Sequence, residues 1–243
     1  MERGKPCDIQ PAARYDAVMF GTVAPTPYDL RFSLFGIPVR VHPFFWLVTF
    51  LAARGRHDAK LMLCWVVCVF VSILVHELGH ALTAQYFGWP PHIVLHQFGG
   101  YASYQPTWGH STAKQILISF AGPGIGFALY FLSTGIERLL DHQEVHLTIL
   151  ARVAFSDLEW INLWWGLVNL LPVYPLDGGQ ICRAAASHWR SADGVDISLK
   201  LSFVTAIGVA FAAFKYTGDW YVTLMFGYIA VLNYQELQGA RRW

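Results

Sequence analysis

Charge is what this chain has least of. Only 14% of its 243 residues are Asp, Glu, Lys or Arg, while 55% are hydrophobic. A soluble domain carries about 25% charge, so an ordinary soluble protein is excluded. The 17 basic residues are balanced by 16 acidic ones and form no basic run, which argues against nucleic acid as a partner. The four cysteines have no CxxC spacing, and Cys64 and Cys68, four apart in an apolar helix, read as small buried side chains rather than a redox pair. The opening MERGKPCDIQPAARYD lacks an apolar h-region, so no cleavable signal peptide is expected. Internal repeats, low-complexity tracts and an inserted soluble domain are also missing.

What the chain has instead is apolar runs. Six stretches are free of formal charge: 41–53, 61–75 continuing to about 86, 115–136, 160–176, 201–214 and 220–235. A span needs roughly 20 residues, about 17 at the short end. Lys200 and Lys215 can snorkel and so lengthen the fifth stretch. The expected fold class is an all-α polytopic membrane protein of about six transmembrane helices, forming one domain over 1–243 with a polar arm over 1–40 and a membrane core over 41–235. With the N-terminus inside, eleven of the 17 lysines and arginines fall on the cytosolic side, as the positive-inside rule favours.

Two segments do not read as spans. RFSLFGIPVRV (31–41) places Ile37, Val39 and Val41 in alternation, a strand signature. HIVLHQFGGYASY (92–104) reads as strand, Gly99-Gly100 turn, strand, giving a hairpin that with 31–41 makes a small sheet.

Inside the second apolar stretch lies HELGH, residues 76–80. An ionisable group costs at least a few kcal/mol in a bilayer span, so three together imply function. H-E-x-x-H on a helix sets two histidines on one face to share a metal, with the glutamate beside the metal-bound water. Two imidazoles leave a catalytic zinc one protein ligand short. A candidate stands in NLLPVYPLDGG (169–179), where Asp177 follows a span and Pro172 and Pro175 break regular helix. In a six-span chain the second and fourth helices run the same way, so the two motifs end on one side of the membrane.

HELGH followed by NLLPVYPLDGG resembles the site-2 protease family of intramembrane zinc metalloproteases, in the compact branch that includes the sporulation sigma-factor-processing proteases. FGIPVRVHP (35–43), FGG (98–100) and AGPG (121–124) fit the same resemblance. It implies His76, His80 and Asp177 as ligands of one Zn2+ per chain, Glu77 as general base, and Asn169 as a contact to the scissile carbonyl. The PDZ module of larger members and the CBS domain of some compact ones are not expected. The implied activity is cleavage of transmembrane segments in membrane-protein substrates, within the lipid bilayer of a bacterial inner membrane and with the active site towards the cytosol. Any regulatory membrane partner is unidentified. A structural zinc protein has no need of Glu77, and a transporter would show internal symmetry that this sequence lacks.

Three smaller readings complete the set. An unwound substrate needs backbone partners, so an edge strand of the hairpin is expected to bind it, with Val94 and Leu95 presenting donors and Gly99 and Gly100 at the tip. The GPGIG of 122–126 reads as close helix packing rather than a nucleotide loop. His42, His92, His96 and His110 read as interfacial or loop residues, and Asp157 and Glu159 as solvated or at the headgroups.

Overall fold

The computed structural model describes residues 23–53, 55–106, 109, 111–190 and 193–240. Residues 1–22 of the polar arm, with Cys7, and His110 lie outside the described residues. The elements are β1 (Leu30–Leu34), β2 (Ile37–Val41), α1 (Pro43–Ala52), α2 (Ala59–Tyr86), β3 (Pro91–His96), β4 (Gly99–Tyr104), α3 (Thr112–His142), α4 (Ile149–Asn169), α5 (Asp177–Trp189), α6 (Gly194–Ala212, extended by a π turn to Thr217) and α7 (Trp220–Ala240).

The helices start where the sequence supplies a cap. His42 Nδ1 accepts from the Phe44 amide ahead of Pro43, and Asp58 accepts from Lys60 N at 2.7 Å. Ser111 and Thr148 cap α3 and α4 in the same way. Among the described residues, three helices are long and apolar enough to cross a membrane: α2, α3, and α6 with its π turn. The chain is a membrane protein. Of the other three expected spans, the first gives only the ten residues of α1, about 15 Å of helix. The fourth stops at Asn169, and a new helix begins only at Asp177, as the two prolines require. The sixth is α7, of 21 residues.

Both strand segments form one four-stranded sheet in the order β1-β2-β3-β4. β1 and β2 turn through Phe35-Gly36, both at positive φ, as a two-residue hairpin needs. β2 and β3 are parallel, with α1 and α2 as the crossover. Ile37, Val39 and Val41 are all buried, so the alternation read from the sequence is the core-facing side of β2. These residues pack with Phe45, Ile73, Leu78 and Ile93 into the main apolar cluster, which fixes the sheet beside the HELGH part of α2.

The second hairpin turns at a different place from the one expected. The register pairs His96 with Gly99 and Leu95 with Gly100, so Gln97 and Phe98 form the tip and the two glycines open β4. Val94 and Leu95 are corrected as well. They sit in β3, flanked by β2 and β4, at 2% and 0% exposure. The free edge on this side of the sheet is β4.

Candidate metal centre

α2 places His76 and His80 one turn apart, with their Nε2 atoms 3.2 Å from each other. Asp177, the first residue of α5, brings Oδ2 to 3.1 Å from His76 Nε2 and Oδ1 to 3.3 Å from His80 Nε2. All three residues are buried. A hundred and one residues separate His76 from Asp177, so the fold itself assembles the group.

The arrangement fits a metal ion on its own chemistry. His80 Nδ1 lies 2.7 Å from the Ile118 carbonyl, which can only accept. That nitrogen therefore carries the proton, and the lone pair sits on Nε2, facing His76 and Asp177. Two imidazole nitrogens and a carboxylate converging in a buried space can hold a cation between them. Two nitrogens and an oxygen suit a borderline metal such as zinc. Among the described residues the only other comparable cluster is Cys64, Cys68 and Asp157, and there Arg56 already holds the carboxylate.

Two glycines make this centre possible. A Cβ on Gly122 would lie 2.2 Å from His80 Nε2, and one on Gly79 would lie 2.5 Å from the Ala121 carbonyl. The AGPG motif of α3 therefore packs against HELGH at backbone distance and leaves the His80 ring the space of a missing side chain. Gly178 and Gly179 do the same for the loop before α5, where a Cβ would meet Leu170 O at 2.2 Å and Tyr174 N at 2.3 Å.

Glu77 is 4% exposed and turned towards β4. A Cβ on Gly100 would lie 2.7 Å from its Cγ, and the Ala102 amide is in hydrogen-bonding reach of its carboxylate. A Cβ on Gly99 would press on the tip of the Trp165 ring at 3.0 Å. Gly100 is thus needed for close approach to Glu77, while Gly99, at φ +125°, is needed for its backbone conformation as well as for the approach to Trp165. Asn169 ends α4 with its amide nitrogen on the Trp165 carbonyl at 2.9 Å. A cavity of about 550 Å³ joins these groups, with His76, Glu77, Asp177, Asn169 and Gly100 in its wall and Met225 of α7 across from them.

Two readings from sequence are overturned nearby. Asp157 is 6% exposed and takes a two-point ion pair from Arg56, with Nη1 2.9 Å from Oδ2. His96 is buried in β3, where burial, with His42 and Arg40 close by, pushes its pKa down to about 4. It is neutral at pH 7 and adds no positive charge beside the site. Sequence reasoning also missed Asn162, whose amide donates to Ser72 Oγ at 2.8 Å and ties α4 to α2. Its signal was a lone amide in an apolar run.

Residues 140–211, which include Asp177, match the profile of peptidase family M50. The HELGH helix precedes the matched residues, and the geometry above brings it onto them. The chain is 27% identical over 210 residues to the stage IV sporulation protein FB of Bacillus subtilis, covering 82% of this chain and 66% of that one. It is 31% identical over 166 residues to a zinc metalloprotease of Methanocaldococcus jannaschii, covering 66% and 46%. The chain thus spans two thirds or less of the length of these curated relatives. Its fold matches the solved site-2 protease from Methanocaldococcus jannaschii with a TM-score of 0.60, at 24% identity over 86% of this chain and 95% of that one.

Proposed function

We propose that this chain is a family M50 peptidase, a zinc-dependent intramembrane endopeptidase that hydrolyses peptide bonds in transmembrane segments of other membrane proteins. The observation that carries the reading is the buried convergence of His76, His80 and Asp177 with Glu77 beside them, all on one cavity of a membrane protein. His76, His80 and Asp177 would hold one zinc per chain, which when bound polarises a carbonyl and lowers the pKa of water towards 7. Glu77 takes the proton of the attacking water and returns it to the leaving amide nitrogen. Asn169, at the cavity wall, turns its amide from Trp165 to the oxygen of the scissile carbonyl.

A transmembrane helix has its carbonyls committed to its own ladder and must unwind to be cut. The β4 edge would partner the freed backbone. In a two-residue hairpin the closing pair, here His96–Gly99, is hydrogen-bonded, so alternation turns Gly100 and Ala102 away from β3. Both lie against Glu77. A substrate strand added there would run past the general base. The excess of basic residues on the N-terminal side supports a cytosolic position for this end of the molecule.

The test separates ligands from base. His76→Ala, His80→Ala and Asp177→Ala should each lose zinc, measured on detergent-purified protein. Glu77→Gln should keep zinc and cut single-span substrates at least about 100-fold more slowly, the lower end of what general base catalysis contributes. Full zinc occupancy in Asp177→Ala, or full chelator-sensitive activity in Glu77→Gln, would refute the assignment.

A further inference from the structure

The third ligand of the metal centre has no regular structure in front of it. Residues 170–176 lie between the end of α4 and the start of α5, so a helical ladder holds Asp177 only from its C-terminal side. Metal–ligand distances tolerate only about 0.2 Å, and something outside the loop must hold it.

Apolar packing of Val173 on α6 and α7 supplies part of that hold; the directional part is a grip on Tyr174, three residues before Asp177. The Tyr174 amide donates to Ser202 Oγ of α6 at 3.0 Å. Its carbonyl accepts from Asn233 Nδ2 of α7 at 2.6 Å. Its ring lies 4.8 Å under the Arg183 guanidinium, and Arg183 is itself paired with Glu236 of α7 at 3.0 Å. Ser202 and Asn233 are 1% and 0% exposed. Asn233 also donates to Ile229 O in its own helix at 2.9 Å, while its Oδ1 is buried with no hydrogen-bond partner among the described residues. A buried acceptor left unmade is costly. The orientation that leaves it so is the one that keeps Nδ2 on Tyr174.

We propose that Ser202 and Asn233 are positioning residues for the metal: by fixing both backbone groups of Tyr174 they set where Asp177 meets His76 and His80. This rests on the reading that those three residues hold the ion. The bland alternative is that the two bonds merely pack a buried loop against α6 and α7. That alternative predicts equal loss of stability with and without metal. A positioning role predicts a loss of metal affinity.

The experiment uses the full chain in detergent, with Co2+ as a spectroscopic probe and chelator competition for affinity. Ser202→Ala removes the acceptor of the Tyr174 amide, and Asn233→Asp, nearly isosteric, turns a donor into an acceptor facing two carbonyls. Each should weaken Co2+ binding about tenfold, as loss of an outer partner does. Each should also shift the visible Co2+ bands and shrink the rise in Tm on adding metal. Ser202→Thr, which keeps the hydroxyl, should restore all three readouts. Should Asn233→Asp fail to accumulate, the Ser202 pair carries the test alone. If Asp177→Ala loses the metal while the variants keep wild-type affinity, bands and Tm increment, the positioning role is overturned and the metal reading stands. If Asp177→Ala itself binds as wild type, the metal reading falls first.

Discussion

Adding one methyl group at Gly122 should remove the metal while leaving α3 a helix. The new Cβ would lie 2.2 Å from His80 Nε2, 2.4 Å from Cε1 and 2.8 Å from Cδ2. Ordinary contact begins near 3.4 Å, so the ring and the methyl must part by about 3.4 − 2.2 = 1.2 Å. The ring cannot swing freely, because its Nδ1 is tied to Ile118 O on the same α3 at 2.7 Å. Nor can the helices simply separate without undoing the backbone contact at Gly79. A displacement of about 1 Å at Nε2 is several times what a metal–ligand bond tolerates. The expected result is a loss of zinc affinity as deep as that of His80→Ala, with an overpacking cost to the fold of about 1–3 kcal/mol. Two other glycines of the same helix are controls. A Cβ on Gly124 would touch Phe120 at an ordinary 3.5 Å, and one on Gly135 would meet nothing within 4 Å. Alanine there should bind zinc normally and stabilise the helix by up to about 1 kcal/mol. Zinc content and chelator competition on the three purified variants decide the matter. Wild-type affinity in Gly122→Ala would refute the packing argument.

Three further outcomes are expected. Single cysteines at Ala59 and Trp189, both exposed, in a background without native cysteines, should label from opposite faces of the membrane; labelling from one face would break the topology (Ser191, a natural choice beside Trp189, lies outside the described residues). Ala102→Pro removes the amide beside Glu77 and should slow cleavage of a stable helical substrate about tenfold, the upper worth of one hydrogen bond, with zinc retained and a helix-breaking substrate partly rescuing it; an unchanged rate would argue against strand addition on β4. His96 has its folded pKa at about 4 against 6.5, so between those values the unfolded chain binds more protons and stability falls as pH falls; the Tm of His96→Gln should decline less steeply than wild type from pH 6.5 to 4.

The parts of the site that sequence made legible are those whose signal is local. His76 and His80 share a face because they are four apart, and Asp177 stands out as a carboxylate after a proline-broken span. The parts that misled depend on which strand lies next to which. Gly99-Gly100 looks like a turn because glycine serves turns and close approaches equally, and only the volume of Glu77 across from β4 distinguishes them. Val94 and Leu95 look like a hairpin edge until β2 inserts beside β3 and moves the edge to β4. Asp157 looks solvated because its partner Arg56 is 101 residues away. Each error is a tertiary contact overriding a sound local reading.

The same contrast explains where this chain uses glycine inside helices, at a cost of about 1 kcal/mol each against alanine. At Gly79 and Gly122 an added Cβ would fall within 2.5 Å of backbone or a metal-binding ring, and at Gly178 and Gly179 within 2.3 Å of the loop that precedes Asp177. At Gly208, Gly227 and Gly239, in α6 and α7, it would meet nothing within 4 Å. The first group cannot be replaced without moving a proposed ligand, and the second can be replaced at no steric cost. Backbone-to-backbone packing is therefore found where α2, α3 and the start of α5 meet, because three short polar side chains reach a common point only if the elements bearing them touch; away from that point it recurs at Gly194 of α6, where a Cβ would lie 2.5 Å from the Ala186 carbonyl. The helices farther out do not have to satisfy that condition. Their grip on the centre runs through the polar contacts at Tyr174 and through the packing of Val173, Leu171 and Leu176 on Ala206, Phe226 and Ile229, so substitutions in α6 and α7 that touch neither should leave the metal undisturbed.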